Sequence, residues 1–295
     1  MIASHVLMIR PVRFGYNAET AVNNTFQQDG GDNTQDGALK EFDAFVTLLR
    51  AHDISVTVLN DTPTPHTPDA IFPNNWISFH PGGIACLYPM FAGNRRQERK
   101  ALNAIKSAFT IRRFIDFTHY ETQNLFLEGT GSMVFDRSRQ IAYACLSPRT
   151  NEEVLHDFCR QMHFSPVVFH ATDVNGQAVY HTNVMLCVAE NFAVVCMESI
   201  TDKREQDVLV NKLTETGKEI IPVTLAQMTC FAGNMLQLQS RSGKRFLILS
   251  NTARRALSPA QAGALEKYNE LLSPAIPTIE RNGGGSVRCM MAEVF

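Results

Sequence analysis

One unit recurs along this chain: an apolar strand, a turn, a second apolar strand, then a polar turn into a helical segment. Copies begin at Trp76 (WISFHPGGIACLYP), Ser132 (SMVFDRSRQIAYACLS), Asn183 (NVMLCVAENFAVVCMES) and Asn234 (NMLQLQSRSGKRFLILSN). Each reads as a β-hairpin with a polar or Gly-containing connection. The starts are separated by 56, 51 and 51 residues, the size of a supersecondary unit rather than of a domain. Helical segments are predicted after the hairpins, over 95–109, 151–162, 202–214 and 258–272. Thr150, Thr201 and Ser258 are the expected N-caps, and Pro259 stands at a first helical position. The C-terminal VRCMMAEVF reads as a first strand and the N-terminal HVLMIRPV as a second. Paired, they complete a fifth unit and leave no bare edge at that seam. The expected object is one ring of five strand-rich units with helices outside. An ordinary α+β sandwich with evenly spaced hairpins is the plainer alternative.

Three polar stretches punctuate the pattern, at 17–37, 60–69 and 273–285. They read as surface loops, and none is long or biased enough to separate domains. A single domain over 1–295 is expected, with the 17–37 loop as a lid over a site.

Charge and cysteine usage narrow the function class. With 27 basic and 29 acidic residues, the net charge is −2. That gives no case for a nucleic-acid or membrane partner, which would favour a clustered basic excess. No apolar run reaches the ~18 residues a membrane span needs. The seven cysteines are irregularly spaced and include no C-x-x-C. A disulfide framework or structural zinc is therefore not expected, and the default compartment is the reducing cytoplasm. Most cysteines sit in apolar runs as small buried hydrophobes.

Cys289 is the exception. The segment just before each first strand carries the sharpest signal: Phe72-Pro-Asn-Asn75-Trp, Tyr180-His-Thr-Asn183-Val and Phe231-Ala-Gly-Asn234-Met. The second unit has Leu127-Glu-Gly-Thr-Gly-Ser132 there, and the fifth has Gly283-Gly-Gly-Ser-Val-Arg-Cys289. In a closed ring, equivalent positions meet near the axis. That gathers Asn75, Glu128, His181, Asn183 and Cys289. A thiolate is the attacking form of Cys, a His can carry the proton a leaving amine needs, and a carboxylate can orient that His. Taken singly, each residue has a plain reading as a core thiol, a structural His or a turn acid. Their equivalent placement raises the joint reading.

At these residues the sequence resembles the guanidine-modifying superfamily of arginine deiminases, dimethylarginine dimethylaminohydrolases and amidinotransferases. The resemblance spans nearly the whole chain. Arg281-Asn-Gly-Gly-Gly-Ser-Val-Arg-Cys289-Met looks like the Gly-rich segment before that family's nucleophile. Tyr180-His181-Thr-Asn183 stands where the family has His-x-Asp, and Leu127-Glu128-Gly-Thr-Gly matches its acidic-Gly motif. Asp69-Ala-Ile-Phe-Pro-Asn74-Asn75 is similar to a segment that supplies substrate-binding acids. Gly93-Asn-Arg95-Arg96 and Leu146-Ser-Pro-Arg149 look like its substrate-carboxylate arginines. The subgroup of citrulline utilisation hydrolases is the most similar.

The resemblance implies an α/β fold, a five-bladed α/β propeller or pentein with pseudo-fivefold ββα-type repeats and terminal strands closing one blade. It implies Cys289 as nucleophile, His181 as proton carrier and Glu128 as its orienting acid, acting on a small-molecule guanidino or ureido amino acid. Asp69, Asn74, Asn75, Arg95, Arg149 and Asn183 are the implied substrate binders, with no metal and no cofactor. Arg95, Arg96 and Arg149 also read as ordinary surface charges. Hydrolysis is the favoured outcome, amidino transfer to an amine the alternative, and a catalytically silent binding relative the non-enzyme alternative; a homo-oligomer is an open option. Asn74, Asn75 and Asn183 replace acids found in relatives. Amides offer both donor and acceptor without charge, so a neutral ureido substrate such as citrulline is slightly favoured over cationic arginine.

Overall fold

The computed structural model describes residues 1–31 and 34–295. Among them the strands form five separate sheets of three strands each, with the same internal plan. In one, Ile84–Leu87 lies between Ile77–His80, antiparallel, and Arg113–Asp116, parallel. Ile141–Leu146 is likewise flanked by Val134–Asp136 and Ser165–His170. Phe192–Val195 is flanked by Leu186–Val188 and Glu219–Pro222, and Arg245–Ile248 by Leu236–Gln239 and Glu270–Leu272. In the fifth, His5–Arg10 pairs antiparallel with Ala292–Val294 from the other end of the chain and parallel with Ser55–Asn60. The predicted hairpins are thus the first two strands of each unit. The third strand returns parallel after a helical crossover, because a parallel neighbour cannot be reached by a tight turn.

The strand patterns follow from position. Central Ile141–Leu146 (IAYACL) is almost continuously buried, as a strand covered on both faces must be. Its outer neighbour Ser165–His170 alternates, with one face toward the helices. Apolar clusters join the sheets in succession. Leu7 and Ile9 pack with Trp76 and Leu87. Cys86 and Ile115 pack with Phe135 and Phe158. Tyr143 and Phe169 pack with Leu186 and Val194, and on to Leu247. Leu236 and Ile248 then pack back against Val6 and Met8. Burying each such side chain is worth about 1.5–3 kcal/mol, so the sheets hold one another in place.

Several local expectations change. The helix over 151–162 runs from Glu152 to Met162, and its cap is Asn151, whose Oδ1 accepts from the backbone of Glu153 and Val154. Thr150 instead bridges back toward Ser147. The next helix is Lys203–Glu215, capped by Asp202 rather than Thr201. The segment expected to be helical over 258–272 is helix only to Glu266; Glu270–Leu272 is the third strand of its sheet. Ser258 does cap it, with Pro259 in the first turn. The expected 95–109 helix breaks into Gly93–Arg96, a 3-10 stretch over Gln97–Ala101, and Leu102–Ala108.

The loops are also more structured than expected. Ala18–Ala21 and Thr34–Ala51 are helices, as is Pro277–Gly283. Residues 32 and 33 of the expected lid lie outside the described residues. Among the described residues, no helix is long and apolar enough to cross a membrane.

Candidate active site

The turns preceding the first strands carry the polar residues to one place. Pro73–Asn75 is a 3-10 turn, Gly129–Ser132 and Thr182–Met185 are single helical turns, and 283–289 follows the helix Pro277–Gly283. Gly131 is required by close approach: a Cβ there would sit 2.5 Å from Asn75 Nδ2 and 2.7 Å from His181 Nδ1. Gly284 ends its helix at φ +62°, a conformation that only glycine adopts without strain.

One narrow cavity is lined by Cys289, His181, Asp69, Asn75, Arg95 and Arg149, with Thr20, Asn24, Phe72, Tyr180 and Gly283 to Gly285 completing its wall. Residues from positions 20 to 289 therefore meet there. Glu128 stands behind His181, fully buried, its Oε2 2.8 Å from His181 Nε2. The other carboxylate oxygen accepts from the Phe91 backbone N–H. Arg149 lies 3.6 Å and Arg95 3.9 Å from the same carboxylate.

Electrostatics fix the resting protons. Burial alone would raise the Glu128 pKa, but Arg149, the bond to His181 and Arg95 outweigh it and hold it at about 2. Burial lowers His181 to about 4, with Glu128 pulling the other way. At neutral pH the pair is a carboxylate facing a neutral imidazole. The imidazole must then carry its N–H on Nε2, toward the carboxylate, and its lone pair on Nδ1.

The sulfur of Cys289 receives two amides: Asn183 Nδ2 at 3.4 Å and Asn234 Nδ2 at 3.3 Å. Asn74 does not line the cavity; it is buried and donates to Thr130 Oγ1. Asp69 accepts at Oδ2 from Asn17 Nδ2 (2.7 Å) and Thr20 Oγ1 (3.2 Å), while its Oδ1 has no partner. Its carboxyl is pushed up by burial, against the pull of Arg95, Asn17 and Arg149. Asn75 Nδ2, also at the cavity, is likewise buried and unpartnered; Asn183 Oδ1 is unpartnered too, but Asn183 does not line this cavity. Leaving such groups unpaired is costly, so the free atoms of Asp69 and Asn75 mark where a ligand's polar groups fit.

The two arginines differ. Arg95 is gripped by Glu98 at 2.8 and 3.0 Å and also donates to Asn75 Oδ1 and the Phe72 carbonyl. Its charge is reinforced by Glu98 and Asp69 against burial. Arg149 stacks over Tyr180 and donates to Asn23 Oδ1 and the Thr20 carbonyl, both from the N-terminal segment. Asn24 reaches the Gly284 carbonyl at 3.4 Å.

Sequence reasoning passed over Glu98, Asn234, Tyr180 and the four polar residues Asn17, Thr20, Asn23 and Asn24. Asn234 carried a signal, being the third copy of the aromatic-x-x-Asn pattern. Glu98 carried a weaker one, three residues after Arg95. The N-terminal segment was read only as a polar loop. Among the described residues, no cluster of His, Cys, Asp and Glu is arranged to hold a metal ion.

A family model described as N,N dimethylarginine dimethylhydrolase, eukaryotic, matches residues 10–295. No curated protein sequence matches the chain. Among solved structures, apo ArgZ, described as an arginine dihydrolase from the ornithine-ammonia cycle in cyanobacteria, superposes with a TM-score of 0.79 at 15% identity. That match covers 98% of this chain and 40% of that one, so the chain spans about two-fifths of the relative's length. The N-terminal domain of ArgZ bound to product gives 0.79 at 16% identity, covering 99% and 97%. A dimethylarginine dimethylaminohydrolase adduct with 4-chloro-2-hydroxymethylpyridine gives 0.67 at 14%, covering 99% and 100%. At these identities the structural likeness speaks for the fold, an α/β pentein arrangement. The family match extends over nearly the whole length, and the chain belongs to the N,N dimethylarginine dimethylhydrolase, eukaryotic, family of the guanidino-modifying pentein superfamily.

Proposed function

We propose that the protein is a Cys289-dependent hydrolase that cleaves a C–N bond in the guanidino group of an arginine-type amino acid. The observation that carries this reading is the single cavity shared by Cys289, His181 and Asp69, with Glu128 bonded to His181 from behind. The five sheets are then read as the blades of one propeller domain over 1–295.

The chemistry follows from the resting protons. Neutral His181 accepts the Cys289 thiol proton at Nδ1, and the thiolate attacks the central guanidino carbon. His181 returns that proton to the departing nitrogen, and the C–N bond breaks to release an amine. Water then gives one proton to His181 and attacks the carbon; the C–S bond breaks with its electron pair on sulfur, the second water proton passes to that sulfur as the C=O forms, and His181 releases its proton to solvent. Glu128 keeps Nε2–H in place and steadies the imidazolium while it lasts. Asp69 Oδ1 is placed to accept from guanidinium N–H groups. Arg149 is the better candidate for the substrate carboxylate, because its hydrogen-bond partners Asn23 and Thr20 lie on the N-terminal segment, the candidate lid, whereas Arg95 is held by Glu98, Asn75 and Phe72. The segment 17–31 would act as the lid, since it bonds both Asp69 and Arg149 and so spans both ends of the substrate.

A second reading, a ureido substrate such as citrulline, has one observation behind it. Asn75 Nδ2 is an unpartnered donor at the cavity, which suits a ureido oxygen better than a guanidinium. Steady-state assays with arginine, N,N-dimethylarginine and citrulline decide between them. Amine release from arginine or its methylated form, with none from citrulline, is the expected result. Turnover of citrulline alone overturns the guanidino assignment.

A further inference from the structure

We infer that Asn234 is a catalytic residue of this site, donating an amide N–H to the Cys289 sulfur and favouring its thiolate form. The inference rests on the reading of Cys289 as nucleophile. The Asn234 side chain is buried, and its three contacts fix which way the amide faces. Its Oδ1 accepts from the Arg288 backbone N–H at 3.0 Å. A backbone N–H can only donate, so the atom facing it must be the carbonyl oxygen. The amino group therefore faces the other way, where it donates to the Asn183 carbonyl at 2.9 Å and to Cys289 Sγ at 3.3 Å. Both amide hydrogens are accounted for, and neither can rotate out without breaking two bonds.

Asn183 also places Nδ2 near the sulfur, at 3.4 Å, but its Oδ1 has no partner, so nothing locks its orientation. Asn234 is the fixed donor of the pair. A hydrogen bond to an ionised acceptor is roughly twice as strong as one to a neutral acceptor. The donation therefore gains strength as the thiol proton passes to His181 and the electron pair stays on sulfur.

Other groups act on the same sulfur. Arg95 and Arg149 favour negative charge there, Asp69 and Glu128 oppose it, and His181 and the Tyr180 hydroxyl are neutral neighbours. Substitution at Asn234 leaves all of these in place, so its own contribution can be isolated.

The test is the pH dependence of Cys289 alkylation by iodoacetamide, assigned by peptide mass spectrometry, in the native protein, Asn234→Asp and Asn234→Ala. Thermal melts confirm that each variant is folded. Asn234→Asp keeps the acceptor for Arg288 and replaces the donor with negative charge; Asn234→Ala removes the donor together with the acceptor for Arg288 and the bond to the Asn183 carbonyl. The expected result is a profile displaced to higher pH by about one unit in Asn234→Ala and more in Asn234→Asp, with kcat at pH 7 down about tenfold or more. The loss should be recovered toward higher pH, with KM little changed. A folded variant with an undisplaced profile overturns the inference, because a merely structural Asn234 would lower stability without moving the midpoint. Native Cys289 that resists alkylation at every pH, or that substrate does not protect, overturns the nucleophile reading and this inference with it.

Discussion

Two polar cavities of the molecule, the candidate site and one lined in part by Asn183, treat buried charge differently. The larger, about 590 Å³ against about 270 Å³, is lined by Asp136, Arg137, Arg288 and Glu293. Its charges answer one another. Arg137 and Arg288 both reach Glu293, at 3.3 and 3.0 Å, and Asp136 is held at 2.9 Å by Lys218. In the smaller cavity, Asp69 and Asn75 each keep one buried atom without a partner. Size is therefore a poor guide to the site. Groups matched within the protein specify structure, whereas groups left aimed into a cavity are matched by what binds there.

The difference can be broken most severely from the matched side. Glu293→Ala strands two buried arginines, and breaking such a group typically costs about 3–5 kcal/mol. Thermal unfolding should show a large drop in melting temperature, while KM of the folded fraction stays unchanged. A shifted KM would mean that the larger cavity also serves the substrate. From the other side, Glu128→Gln keeps the shape but removes the charge that steadies the imidazolium. We expect kcat to fall by about 10²–10³; retention of full activity would separate Glu128 from the chemistry. Arg149→Ala should raise KM about tenfold or more, with a smaller change in kcat, since a charged contact to a carboxylate is worth about 1.5–3 kcal/mol. An unmoved KM would return Arg149 to a purely structural part.

The smallest effect sharpens the contrast through pH. His181 is held at about 4, below its ordinary 6.5, and Glu128 at about 2, below 4.5. Both folded-state values are depressed, so each group's contribution to stability is complete above its unfolded value and lost as pH falls. The loss runs from about 6.5 to 4 for His181 and from about 4.5 to 2 for Glu128. The acid limb of kcat/KM should accordingly lie near pH 4, and a limb centred near 6.5 would show a solvated His181.

Much of this arrangement was legible in the residues themselves. The hairpins showed because their central strands are covered on both faces and so read as unbroken apolar runs, as in IAYACL. The third strands were missed because they are partly exposed and a helical crossover separates them from their hairpins; Glu270–Leu272 reads equally well as the end of a helix until its pairing with Phe246–Ile248 is seen. The turn positions of Glu128, His181 and Cys289 were visible as equivalents in a repeat. Glu98 and the commitments of Arg95 were not, because a buried Arg–Glu pair three residues apart looks in sequence like any exposed helical pair. The N-terminal contacts of Asn17 and Asn23 join the site across more than fifty residues, and no periodicity announces them.

In the proposed reaction Cys289 becomes covalently attached to the carbon it attacks. Mass spectrometry of protein quenched in acid during turnover of arginine tests it directly. A transient adduct, with the mass of the substrate less the departing amine, is expected on the peptide carrying Cys289. Turnover with that peptide unmodified at every quench time, and undiminished activity in Cys289→Ala, would contradict it.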